Sequence, residues 1–92
     1  EYQLIMKKEM SVHEKNWTKK ANDLLKGLAV KSVRYLTNEE AEQLGWYNRS
    51  IILEMHNGTL LFCSADDEGN DAGALFYQTK TDDGVLPVFP ID

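Results

Sequence analysis

Cysteine is nearly absent from this chain. Cys63 stands alone among 92 residues, which rules out an intrachain disulfide and a cysteine-rich zinc site. The usage fits a reducing, cytosolic setting. Long apolar runs are missing as well. No stretch approaches the ~18–20 apolar residues of a membrane span, and the first residues lack the apolar run of a signal peptide. The sequence therefore predicts no membrane association, and the sequons Asn48-Arg49-Ser50 and Asn57-Gly58-Thr59 read as incidental. Basic residues are the minority, 10 against 15 acidic, for a net charge of −5. This argues against broad, charge-driven binding to duplex DNA. It leaves open local recognition of single strands, where stacking and base-edge hydrogen bonds carry more of the interaction.

Signatures of catalysis are equally scarce. Cys63 falls inside a predicted strand, away from any helix N-terminus or obvious cation, and reads as a structural thiol. His13 and His56 have no metal-type spacing to another ligand. No glycine-rich phosphate loop occurs. The acidic residues cluster in a predicted surface loop with no pocket to separate their pKa values. The expectation is a non-enzymatic protein with no metal and no cofactor.

What is present is one domain's worth of apolar residues, 42% of the chain, centred on residues 50–71. Two apolar runs flank Asn57-Gly58, the pair suited to a type I′ turn, so a tight antiparallel hairpin is predicted. That turn pairs His56 with Thr59, Met55 with Leu60, Leu53 with Phe62 and Ile52 with Cys63. It places Ile51, Leu53, Met55, Leu60 and Phe62 on a core face and Ile52, Glu54, His56, Thr59, Leu61 and Cys63 on a mixed one. The loop 66–71, Asp-Asp-Glu-Gly-Asn-Asp, follows. Its oxygen-bearing side chains suit turn chemistry, partner binding or a hard cation. The EF-hand pattern fails, because glycine is fourth and Tyr77 holds the twelfth position.

Elsewhere, Ser11-Val12-His13-Glu14 has the form of a capping box and opens a helix over 12–26, within a helical segment 11–28. Trp17, Ala21, Leu24, Leu25 and Leu28 form its apolar stripe. Lys15, Lys19, Lys20 and Lys26 surround the polar side, as a solvated or a phosphate-facing surface. Residues 1–10 read as an arm, a short strand or added sequence. A strand over 30–36 precedes a second capping box, Thr37-Asn38-Glu39-Glu40, and a short helix over about 38–44. Trp46 and Tyr47 come next, to pack this helix onto the sheet or to offer a base-stacking platform. A strand over 73–79, a turn over 80–84 and a last extended segment 85–91 complete the chain. Pro87 and Pro90 mark that segment as an edge. Two helices and five strands predict a single, mainly β domain shaped as a strongly bent antiparallel sheet or open barrel.

The run Ile-Ile-Leu-Glu-Met-His-Asn-Gly, a second strand and then Asp66-x-x-x-Asn70, behind an amphipathic helix, resemble the first signature of Sm and Sm-like RNA-binding proteins. The overall pattern from Leu28 to Pro90 is also similar to a marine metagenomic group of Sm-like proteins thought to come from cyanophage. The resemblance implies a helix-capped, five-stranded SH3-type open barrel that assembles through its edge strands into a homo-oligomeric ring of five to seven copies and binds single-stranded RNA or DNA. It would place such a protein in the cytoplasm of an infected bacterial host. By position, Asn70 would hold a base edge with Asp66 in support and Asp67 shaping the loop, while Arg49 and Lys80 are the candidate phosphate contacts. The chain departs from the family where Gly69 replaces a bulky apolar residue before the asparagine and where no Arg-Gly pair occurs near residues 85–91. A protein-interaction domain presenting an acidic surface to a basic host protein is the alternative expectation.

Overall fold

The computed structural model describes residues 11–92, so the reading of residues 1–10 lies outside the described residues. The chain runs α1 (Val12–Leu25), β1 (Val30–Tyr35), α2 (Asn38–Gln43), β2 (Asn48–Arg49), β3 (Ile51–Met55), β4 (Leu60–Phe62), β5 (Leu75–Gln78), β6 (Asp83–Leu86) and β7 (Phe89–Pro90). Both helices start where their capping boxes predict. Glu14 N donates to Ser11 Oγ and Ser11 N to Glu14 Oε1; Thr37 and Glu40 repeat the exchange at α2. Each box satisfies N–H groups that have no partner within the helix.

Among the described residues the expected five strands are seven short ones, all antiparallel, in three separate sheets: β1-β3-β4, β2-β7 and β5-β6. The expected last segment is split. Its first half belongs to a hairpin with β5, and after Pro87 its second half pairs with β2. Proline lacks a ladder donor, so the break falls where pairing cannot continue. The architecture is mainly β with an N-terminal helix, and no closed barrel forms among the described residues.

The central hairpin forms in a different register. Ile52 pairs with Phe62, Leu53 with Leu61 and Glu54 with Leu60, one residue away from the I′ expectation. The reason is at the turn. A type I′ turn needs positive φ at both central residues, yet only Gly58 has it, at 90°. Gly58 N donates to Met55 O and Met55 N to Thr59 O, closing a three-residue loop with glycine in the bulge position. A one-residue slip exchanges the faces of a whole strand. Leu61 therefore joins Leu53 and Val33, while Phe62 and Leu60 join Ile52, Glu54, Arg34 and Ser32.

Both faces of this sheet are covered in part. On one, Ile52 packs with Leu36, Ala41, Trp46 and Ala72, backed by Val88 and Ile91, and Phe62 meets the Trp46 ring edge-on at 6.0 Å. On the other lie buried Ile51 and Met55, and the Tyr35 ring meets Phe89 at 4.9 Å while its hydroxyl donates to Pro87 O. Helix α1 contributes nothing to either core. Every residue from Ser11 to Gly27 is exposed, and its stripe, Trp17 and Leu24 included, faces solvent.

Candidate functional site

The loop 66–71 is built around two carboxylates. The Asp66 side chain accepts from Glu68 N (3.1 Å), Asn70 N (3.2 Å) and Asn70 Nδ2 (2.8 Å). The Asn70 amide also donates to Glu68 Oε1 at 3.2 Å. Hydrogen bonds from the Asn70 side chain first, then from its backbone and that of Glu68, hold the Asp66 carboxyl below its ordinary pKa, because they favour the charged acceptor. The Asp66–Asn70 pairing implied by the family resemblance is thus formed within the loop. Both amide hydrogens of Asn70 point inward, which leaves Oδ1 as its open edge.

Asp71 fixes the loop to the rest of the molecule. It accepts from its neighbour Ala72 N (2.7 Å), from Tyr47 N and Asn48 N (3.1 Å each) and from Asn48 Nδ2 (3.1 Å). Its carboxyl is held low by the Ala72 N–H above all, and also by the Asn48 side chain and the Asn48 and Tyr47 amides. A second tie runs from Trp46 Nε1 to Gly69 O at 2.7 Å. At the loop's base, Ala65 N donates to Asp71 O and Gly73 N to Cys63 O, both at 2.8 Å. Gly73 permits this close approach, since a Cβ there would lie 2.5 Å from Ser64 O.

The Trp46-Tyr47 pair splits between core and solvent. Trp46 is 5% exposed and belongs to the core, whereas Tyr47 is 79% exposed. The two lie between α2 and β2, where the chain bends at Tyr47, and one ring is buried while the other stays in solvent. Asp71 ties the Tyr47 backbone to the C-terminal end of the Asn70 loop, and the Tyr47 side chain is exposed. Sequence reading counted Asp71 only as part of the acidic composition; the signal for its role is its place at the loop's C-terminal end, where a carboxylate can reach the chain entering β2.

The remaining expected contacts are less concentrated. Asp67 is exposed on the loop. Arg49, in β2, is half-buried, with Nη1 3.5 Å from Leu36 O and Nε buried without a partner among the described residues. Lys80 is exposed at the tip of the β5–β6 hairpin, and no ion pair links it to the loop among the described residues. No group of three or more His, Cys, Asp or Glu residues is arranged to hold a metal ion among the described residues, and no described helix is long and apolar enough to cross a membrane.

With this geometry in hand, comparison with known proteins adds no neighbour: no family model, curated protein or solved structure matches the chain.

Proposed function

We propose that this chain is a non-enzymatic, Sm-like module that binds single-stranded RNA or DNA on the surface made by Tyr47 and the loop 66–71. The observation that carries the reading is the 79% exposure of Tyr47, whose backbone is tied by Asp71 to a hydrogen-bonded loop in which Asp66 holds the asparagine. An open aromatic face accepts any base by stacking. Asn70 Oδ1 accepts from the exocyclic amine or ring N–H of a stacked base, while Arg49 and Lys80 meet phosphates. The Sm-like part of the proposal also includes assembly of copies through sheet edges, for which β1 and β4 are the outer strands of the three-stranded sheet.

A panel of labelled single-stranded RNA and DNA oligonucleotides at low salt, read by fluorescence anisotropy, tests the binding. We expect at least one ligand tighter than about 100 μM, the weak end of non-specific affinity; uniformly weaker binding ends the proposal. Tyr47→Ala should lower affinity by about 5- to 100-fold, the worth of one stacked base. Asn70→Ala should lower it for some base identities more than others.

A further inference from the structure

The least explained element is α1. A 14-residue helix is marginal in water by itself and normally persists because an apolar face is packed. Here none of its residues is buried, with Trp17 65% and Leu24 55% exposed. Its charge is opposite to that of the body. Residues 11–27 hold four lysines and two carboxylates, whereas residues 28–92 hold four basic residues and eleven acidic ones.

The body, of opposite net charge, offers a cavity. On the sheet face beyond the Ile52 core, Ser32, Arg34, Ile52, Glu54 and Leu60 line an open cavity of about 250 Å³. That is slightly below the usual ~300–1,000 Å³ of a small-ligand pocket and suits one large side chain. Its lining is mixed, with Ile52 and Leu60 as the apolar part, and Leu60 is 51% and neighbouring Phe62 42% exposed. The charges facing it are already arranged: Arg34 is held bidentately by Glu40, and Glu54 accepts from Ser32 Oγ with Lys31 Nζ 4.0 Å away. Glu54 is the cavity's carboxylate. On α1, Lys20 Nζ stands 5.3 Å from the centre of the Trp17 ring, so a cation travels with the aromatic group.

We propose that α1 docks in trans on a second copy of this chain, with Trp17 seated in the Ser32–Leu60 cavity and Lys20 against Glu54. Leu24 and Leu25 extend the contact over the exposed rim. The second copy is the occupant that supplies both a net-basic helix with an exposed apolar stripe and a net-acidic body with a cavity, and each copy offers one of each. This inference is independent of the loop 66–71 and of any nucleic acid.

Sedimentation of the whole chain at about 50 μM tests it, together with Trp17→Ala, Lys20→Glu and Glu54→Lys. Wild type should be heavier than a monomer. Trp17→Ala changes an exposed helix residue and leaves the sheet edges intact, so its circular dichroism should match wild type while its mass falls below that of wild type. Lys20→Glu sets two carboxylates together and Glu54→Lys two ammonium groups, and each should weaken assembly about tenfold or more, because like charges oppose docking. An equimolar mixture of these two variants restores every Lys–Glu contact between copies and should recover the wild-type mass. A helix docked within its own chain cannot be rescued by mixing, so failure of the mixture to recover overturns the trans arrangement. A monomeric wild type overturns it too, and so does a Trp17→Ala variant of unchanged mass. Should Glu54→Lys not fold, the comparison of wild type with Trp17→Ala decides.

Discussion

Gly73 carries more of the architecture than its size suggests. It lies where the chain leaving the loop 66–71 passes the Ser64 backbone, and any side chain would press on Ser64 O. Gly73→Ala should lower unfolding free energy by about 1–3 kcal/mol, the usual cost of overpacking a close approach, as measured by denaturant titration. Such a residue is hard to find in a sequence, because the constraint comes from a neighbour nine positions away. Asp66 and Asn70 were easier: four residues apart in an Asp/Asn/Gly-rich loop, they have the local reach for side-chain-to-backbone bonds. Arg49 was less legible. Its guanidinium reaches the Leu36 carbonyl with Nε buried, a consequence of tertiary packing that a lone arginine between polar residues does not announce.

At the scale of elements, the two capping boxes set the helix starts, because the motif is local and both partners lie within four residues. The hairpin turn was half legible. Asn57-Gly58 places the turn, but whether one residue or two take positive φ decides the register, and nothing local fixes that choice. Helix α2 is also tied to β1 through Arg34, which meets both Glu40 oxygens at 2.8 and 3.0 Å. The Arg34 bonds, followed by the Thr37 N–H, lower the Glu40 pKa from its ordinary 4.5 to about 2. A depressed carboxyl pKa adds stability that is complete above the unfolded value and is lost as pH falls through the folded one. The stability gap between wild type and Glu40→Gln should therefore be largest above pH 4.5, narrow between 4.5 and about 2, and close below that. Denaturation midpoints across this range check it.

For the whole molecule, composition was a sound guide to class and a poor one to closure. Alternating apolar runs with tight turns predict a mainly β, antiparallel fold, and that is what forms. How the strands divide among sheets depends on the break at Pro87 and on the entry of β2, neither of which has a periodic signature. Net charge bears on ligand binding at this scale. With a charge of −5 and Arg49 and Lys80 as the proposed phosphate contacts, few counterions are released on binding a single strand. The slope of log affinity against log salt should be no steeper than about −1.5, from roughly −0.7 per contact. A much steeper slope would point to the lysines of α1 as the phosphate-binding surface instead.

The hydrogen bond from Trp46 to Gly69 O has a practical corollary. It ties a buried fluorophore to the backbone of the one loop expected to meet a ligand, while the chain's other tryptophan, Trp17, sits apart on an exposed helix. In a Trp17→Phe background the emission comes from Trp46 alone, and its wavelength and intensity respond to any rearrangement of the loop. The molecule thus contains its own optical probe, able to register loop engagement without a label on either partner.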